Sequence, residues 1–372
     1  MNIITQGGLI VNSEIRTFTK ILEAQLILLW GAGAQSKSCI DCVKEKTNAE
    51  IHLFDSNVKK VGLGISGIVV EDSKNFSKYL DRDNCIVLIS SINKQYEIAQ
   101  MLVERYNLSV DLLYGYTSDF YEKYVFRKEY DDSLKFEIET VRSMIQDKES
   151  QEYFDASIRY RFNRNPLELF PNAKMERIGE YADIVRIYEG DTIVDCGAYT
   201  GDTAEMYCSY VGNKCTVYAF EPFKDSFMQL EERIKRKHLS SVYAFNYAVS
   251  NENKTRKLYF NVDDFKMGIR IGEEKAAQTQ IIEVRTIDTI LKEIGSIDFI
   301  KMDIEGEEIN ALQGAVNSIK KFAPDVMISA YHKFEHILEI PQFLKGVNPN
   351  YKIYMGHAPN VSTEIEIYAT IK

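Results

Sequence analysis

One stretch, Gly190 to Pro222 (GDTIVDCGAYTGDTAEMYCSYVGNKCTVYAFEP), constrains the fold of this chain more than any other. Thr192 to Cys196 is a short apolar run carrying a carboxylate near its end, Gly197 and Gly201 bracket a tight turn before a helical segment, and Thr216 to Phe220 closes on Glu221. Strand, glycine loop, helix, strand and acid in that order make a βαβ unit of a parallel sheet. Gly197 and Gly201 lack a Cβ, so the backbone can take positive φ and approach a ligand closely. The free N–H groups where the helix begins suit an anionic group. Glu221 stands 221 − 197 = 24 residues after the first glycine, near the ~20 of a nucleotide-binding unit in which a strand-tip acid accepts the ribose hydroxyls. The stretch therefore reads as a site for an adenosine-type ligand, with a purely structural turn as the plainer alternative.

The loop narrows the ligand. A dinucleotide fingerprint needs G-x-G-x-x-G to seat a pyrophosphate, whereas Asp195 to Gly201 reads D-x-G-x-x-x-G. A ligand without phosphates fits that spacing better, and S-adenosylmethionine is the common one.

Length and charge restrict the rest. A chain of 372 residues is too long for one ordinary core and divides into two or three domains, here 1–118, 119–180 and 181–372. Net charge is −10, and no run of lysines and arginines is dense enough for a nucleic-acid footprint, so nucleic acid is not an expected partner. The longest apolar stretch, around Leu26 to Trp30, is far short of the ~20 residues of a membrane helix, and the N-terminus lacks a signal-peptide pattern. A soluble cytoplasmic protein is expected. Of the six cysteines, Cys39 and Cys42 form a C-x-x-C, but no second pair lies at zinc spacing, which favours buried free thiols over a metal site.

The N-terminal third repeats the central pattern. Leu26 to Trp30 reads as a buried strand, Gly31 to Ser36 (GAGAQS) as a loop opening a helix to about Lys46, and Ile51 to Phe54 as the next strand, ending at Asp55. The interval from Gly31 to Asp55 is again 55 − 31 = 24 residues. With a strand at Ile86 to Ser90 and a helix at Gln95 to Tyr106, the order predicts a small Rossmann-like parallel sheet. Ser36 stands where a third fingerprint glycine would be, so ligand binding and a docking or dimerising role both stay open for this domain, as does a homo-oligomer. Asp119 to about Arg161 has no glycine or proline and carries Leu134, Ile138, Val141 and Ile145 at helical spacing; it reads as a helical linker. Tyr153, Phe154, Tyr160 and Phe162 are read as core packing before a substrate entrance.

From Thr192 onward, strands and helices alternate. Phe223, Phe227, Leu230 and Ile234 share a helical face, Val242 to Asn246 is a third strand, and Leu258 to Val262 with Ile281 to Arg285 read as an inserted hairpin. Ile297 to Met302, Val326 to Tyr331, Tyr351 to Met355 and Glu364 to Thr370 complete seven strands, the last two joined by a turn rather than a helix. The chain resembles the class I methyltransferase fold over roughly Asp191 to Lys372: a doubly wound α/β sheet whose last strand inserts antiparallel. Within it, the chain resembles the FkbM-type methyltransferases. The marks are VDCGAYTGDT at Val194 to Thr203, YAFEP at Tyr218 to Pro222, IKMDIEGEE at Ile300 to Glu308, ISAYHK at Ile328 to Lys333, and His357 before the final strand.

That resemblance implies S-adenosylmethionine as cofactor, with Asp195, Gly197 and Gly201 at its methionine end, Glu221 on the ribose, and Asn246 and Ala248 beside the adenine. It implies O-methylation of a hydroxyl on a sugar, nucleotide-sugar, glycan or related metabolite, in a polysaccharide-biosynthesis setting. A hydroxyl is a weak nucleophile until a base removes its proton, and the strand ends at Asp303 and His332 supply the candidates: Asp303, Glu305 and His332. Glu308, Lys333, His357 and Arg270 are expected around the acceptor, although Glu307 and Glu308 also suit the first turn of a helix. No metal is expected, a divalent ion on Asp303 and Glu305 being the alternative. The competing readings are a nicotinamide oxidoreductase using the Gly31 loop and a non-catalytic nucleotide-binding scaffold.

Overall fold

The computed structural model describes residues 21, 23–91, 94–115, 132–163, 165–168, 184–260, 270–271, 278–333, 335–357 and 365–372. The chain divides into two compact units, Met1–Glu139 with Gln151–Lys174 and His357–Glu364, and Thr140–Ser150 with Met175–Gly356 and Ile365–Lys372.

The first unit is built on a six-stranded sheet. Its strands are β1 (Leu26–Trp30), β2 (Glu50–Asp55), β3 (Gly64–Ile65), β4 (Ile68–Asp72), β5 (Cys85–Ile89) and β6 (Leu113–Gly115), in the order β3-β4-β2-β1-β5-β6. All neighbours are parallel except β3 and β4. Because strand side chains alternate, β1 feeds two cores. Ile27 and Leu29 pack with Cys39, Ile40 and Val43 of the helix Ser36–Lys46, while Leu26, Leu28 and Trp30 pack with Ala99 and Leu102 of the helix Gln95–Tyr106. The hairpin β3–β4, absent from the sequence reading, turns on Ser66 and Gly67, whose φ values of 47° and 76° are those of a two-residue hairpin turn.

Within the expected linker, the described residues form two helices, Asp132–Met144 and Lys148–Asn163, rather than one. Ile145 ends the first by making a parallel bridge to Ile353. Leu134, Ile138, Val141 and Ile145 are buried as their spacing predicts, and Tyr153, Phe154 and Tyr160 are core residues.

The second unit holds the seven-stranded sheet. Its strands are β7 (Thr192–Cys196), β8 (Thr216–Phe220), β9 (Val242–Phe245), β14 (Phe299–Met302), β15 (Asp325–Ser329), β16 (Lys352–His357) and β17 (Ile365–Thr370), ordered β16-β17-β15-β14-β7-β8-β9. β17 lies antiparallel to β15, whereas β15, β14, β7, β8 and β9 run parallel. The expected hairpin is the centre of a second sheet of four strands: β10 (Tyr247–Val249), β11 (Lys254–Phe260), β12 (Arg270–Ile271) and β13 (Gln278–Arg285), in the order β10-β13-β11-β12. The strand order reverses beside β7, between β8 and β14. In open α/β sheets ligands bind at such a switch point, beyond the carboxyl ends of the strands.

Candidate active site

The site begins with the loop after β7. Gly197 and Gly201 take φ of 78° and 83°, conformations that strain any residue with a Cβ. At Gly197 a Cβ would lie 1.8 Å from the carbonyl oxygen of Asp303, so the loop after β7 can meet the end of β14 only with glycine there. Gly201 caps the helix Asp202–Tyr210 and leaves room for Leu230, whose Cδ1 would lie 2.4 Å from an added Cβ.

Beneath this loop sits a buried ion pair. Asp195 on β7 and Lys301 on β14 are register partners in adjacent strands, and Lys301 Nζ lies 3.2 Å from Asp195 Oδ1. The same ammonium donates to the carbonyl oxygen of Gly197 at 2.7 Å. Burial alone would lower the Lys301 pKa, but the Asp195 and Asp303 carboxylates hold it well above its ordinary value, so the lysine stays charged. Asp195 has no exposure and fixes the loop from behind, through Lys301, rather than lining the space in front of it.

Glu221, at the tip of β8, is a different kind of acid. Its Oε2 accepts from the N–H of Tyr199 at 2.9 Å and its Oε1 from the N–H of Phe223 at 2.8 Å. Burial pushes its pKa up to about 7 against those two hydrogen bonds. Asn246 donates through Nδ2 to the carbonyl oxygens of Glu221 and Pro222, at 2.8 and 3.0 Å. It thereby shapes the turn that presents Glu221.

The end of β14 supplies the remaining acids. Asp303 and Glu305 are partly exposed, and Asp303 Oδ1 accepts from the Tyr331 hydroxyl at 3.1 Å. Glu305 itself has φ of 57° and Gly306 99°, a left-handed turn that non-glycine residues enter at a cost. Glu308 holds that turn closed: its carboxylate accepts from the N–H of Ile304 at 3.0 Å and of Gly306 at 3.3 Å. The same carboxylate meets His332 Nδ1 at 2.9 Å and His336 Nδ1 at 3.1 Å.

Gly197, Tyr199, Glu221, Ala248, Asp303 and Glu305 line one cleft of about 400 Å³, within the ~300–1,000 Å³ of ligand sites. Phe220, Phe223, Val249 and Leu258 add apolar wall, and Asp202 and Glu307 add acids. An apolar, acid-flanked cleft with a carboxylate at the second strand tip suits an adenosine bearing a cationic sulfonium.

Four of the expected residues stand behind the cleft wall rather than on it. His332, expected as a base, is only 6% exposed and lies behind the cleft acids, its Nε2 3.4 Å from Asp303 Oδ1 and 3.6 Å from Glu305 Oε2. Burial alone would lower its pKa, yet Glu308, Asp303 and Glu305 push it up to about 9. Raised in this way, the imidazole favours its charged form, whose two ring nitrogens both donate. Glu308, expected at the acceptor, has no exposure; burial would raise its pKa, and the two histidines hold it well below the ordinary carboxylate range. Asp195 and Asn246, expected against the cofactor, support the loop and the turn. Lys333 is exposed, its stem packed beside Gly306. Arg270 and His357 lie on β12 and β16, with side chains outside the described residues.

The residues missed from sequence are Lys301, Tyr331 and His336. Lys301 had a visible signal, a lone cation inside an apolar strand, which must find a buried partner. His336 had none, because its partner is fixed only by tertiary packing.

The fold and the cleft define a class I methyltransferase architecture. Residues 195–352 match the family described as Methyltransferase FkbM domain. The crystal structure of methyltransferase FkbM from Methylobacillus flagellatus KT is similar over 95% of this chain and 94% of that one, with a TM-score of 0.72 and 17% sequence identity. At that identity the likeness is one of fold. A putative rRNA-methylase from Clostridium thermocellum covers 50% of this chain and 88% of its own at TM-score 0.33 and 14% identity. Aeropyrum pernix fibrillarin in complex with natively bound S-adenosyl-L-methionine covers 50% and 68% at TM-score 0.32 and 12% identity. At those scores neither bears on the chemistry of this chain. No curated protein sequence matches it. Among the described residues no helix is long and apolar enough to cross a membrane, and no cluster of three or more histidine, cysteine or acidic side chains is arranged to hold a metal ion.

Proposed function

We propose that this chain is an S-adenosylmethionine-dependent O-methyltransferase acting on a hydroxyl of a sugar, glycan or related metabolite. The observation that carries the reading is that Glu221 and Asp303, from the tips of strands on either side of β7, open onto the same cleft. When bound, S-adenosylmethionine supplies a methyl group on a sulfonium. Glu221 accepts the ribose hydroxyls with the lone pairs its two backbone donors leave free, and Ala248 lies against the base. Asp303 takes the proton of the acceptor hydroxyl as that oxygen receives the methyl, and Glu305 orients the acceptor through a neighbouring hydroxyl. General-base catalysis by one positioned group contributes ~10²–10⁴-fold.

Equilibrium binding of S-adenosylhomocysteine, with methyl transfer to a glycan panel, tests the reading. Asp303→Asn is expected to retain binding and lose transfer by ~10²-fold or more. Failure of the wild type to bind the cofactor, or full activity in Asp303→Asn, would refute it.

A further inference from the structure

We propose that Glu308 is a positioning residue that acts through His332 to hold Asp303 and Glu305 in place as the paired cleft carboxylates. The inference rests on the reading of Asp303 as the proton acceptor and goes beyond it by assigning what stands behind that acid. Glu308 is the first residue of the helix Glu308–Gln313, fully buried, and a buried carboxylate needs its lone pairs filled. Here Oε1 is filled from two elements, by the N–H groups of Ile304 and Gly306 in the turn after β14 and by His332 after β15, while Oε2 has an ion-pair contact with His336 at the start of the helix His336–Val347.

The consequence lies on the other ring nitrogen of His332. With Nδ1 committed to Glu308 at 2.9 Å, the ring is fixed in orientation, and Nε2 points at Asp303 and Glu305, 3.4 and 3.6 Å away. Tyr331, whose ring centroid is 4.2 Å from that of His332, donates its hydroxyl to the same Asp303. The groups that face His332 are thus three carboxylates and a phenol. Two cleft acids that both approach one ring nitrogen would otherwise repel. The imidazole behind them offsets that repulsion and, with the Tyr331 hydroxyl, holds the Asp303 carboxylate in place at the cleft. Glu308 touches neither cofactor nor acceptor; it is the buried end of a Glu–His–Asp series whose exposed end does the chemistry.

The test uses the full-length chain labelled with ¹⁵N-histidine. His332 is expected to remain protonated beyond pH 8 in the wild type, and Glu308→Gln is expected to lower its titration midpoint by at least one pH unit. In the transfer assay Glu308→Gln is expected to cut kcat about tenfold or more, a ΔΔG‡ of ~1.4 kcal/mol per factor of ten, with cofactor affinity within twofold and the acid limb of the pH profile moved upward. A purely structural role would leave the pH profile in place. Should Glu308→Gln fail to fold, the wild-type titration and His332→Gln decide, the latter keeping the two backbone hydrogen bonds to Glu308 while removing the cation. A wild-type His332 titrating below pH 7, or His332→Gln with unchanged kcat and pH profile, would overturn the proposal. Absence of transfer by the wild type would instead refute the methyltransferase reading and leave the titration result standing.

Discussion

The chain contains the same local device twice, and the two copies end in different electrostatic states. In the first unit Asp55 closes β2, 24 residues after Gly31; in the second Glu221 closes β8, 24 residues after Gly197. Each acid accepts an N–H from its glycine loop, Ala32 to Asp55 at 2.8 Å and Tyr199 to Glu221 at 2.9 Å, and another from two residues beyond itself, Asn57 and Phe223. One difference is an ammonium in direct contact, and the other is depth of burial. Lys60 donates to Asp55 at 2.9 Å, and although burial pushes the Asp55 pKa up, Asn57, Lys60 and Ala32 together hold it below its ordinary value. Burial wins at Glu221, whose pKa rises to about 7. A strand-tip acid is therefore no mark of a ligand site by itself: the first copy is paired with a lysine in direct contact, and the second, among the described residues, presents a carboxylate with no contacting cation at its cleft.

The largest expected effect separates the two glycine loops. Gly197→Ala places a Cβ against the carbonyl of Asp303 at positive φ, so unfolding of the second unit should come at least ~3 kcal/mol earlier. Gly33→Ala meets open space and should fall within ~0.5 kcal/mol of the wild type. Denaturant unfolding, read as two transitions rather than one, checks both. Equal effects would break the distinction between a loop that must pass close to a neighbouring strand and one that need not.

Next in size is the exchange of the acids themselves. Glu221→Gln should weaken S-adenosylhomocysteine binding by ~10–100-fold, the ~1.5–3 kcal/mol of hydrogen bonds to a charged group. Asp55→Asn should leave that affinity within twofold and cost stability instead, by ~1–2 kcal/mol. Calorimetric titration of both variants decides, and reversal of the pattern would move the adenosine site to the first unit.

The raised pKa of Glu221 gives a third difference, this one in pH. An ionised carboxylate is the form that accepts two ribose hydroxyls, so affinity for S-adenosylhomocysteine should rise about tenfold between pH 6 and 8 as Glu221 deprotonates near 7. The stability linkage has the opposite sense. A folded pKa above the unfolded value means stability that is fully present below ~4.3 and is lost as pH rises through about 7. The unliganded second unit should thus lose stability between pH ~4.3 and about 7, and the two trends overlap from pH 6 to 7. A flat binding profile would show that Glu221 does not carry the ribose.

Much of this was legible in the sequence, and the gaps have physical causes. The seven strands and the antiparallel last one follow from apolar runs at regular spacing, and the switch point follows from their order. The acids were legible as strand-end residues because a carboxylate closing an apolar run must emerge at the sheet edge. Which of those acids face the cleft was not. Asp303 and Glu308 are five residues apart in one motif, yet Asp303 faces the cleft and Glu308 is sealed, because the left-handed turn at Glu305 and Gly306 reverses the chain between them. The hairpin β3–β4 escaped because its strands are two and five residues long, too short to show an alternation. Lys60 escaped because an ion pair five residues distant from its acid looks like any solvated charge.

That ion pair supports the smallest prediction, and the one that bears most directly on why the two copies differ. Lys60→Met removes the ammonium from Asp55 while keeping the length and apolar stem of the side chain. Lys60 is one-third exposed, so the loss of stability should stay under ~1 kcal/mol. The sign is fixed by the direction of the Asp55 shift: a depressed folded pKa contributes stability that is present above the unfolded value and is lost as pH falls through the folded one. Removing Lys60 should therefore shrink the acid-side loss of stability in the first unit and raise the Asp55 pKa, both measurable by carboxyl ¹³C titration and by unfolding at pH 3 and 7. If Asp55 does not move, its two backbone donors alone set its state, and since Glu221 has the same two donors, the difference between the acids must come from depth of burial rather than from the lysine.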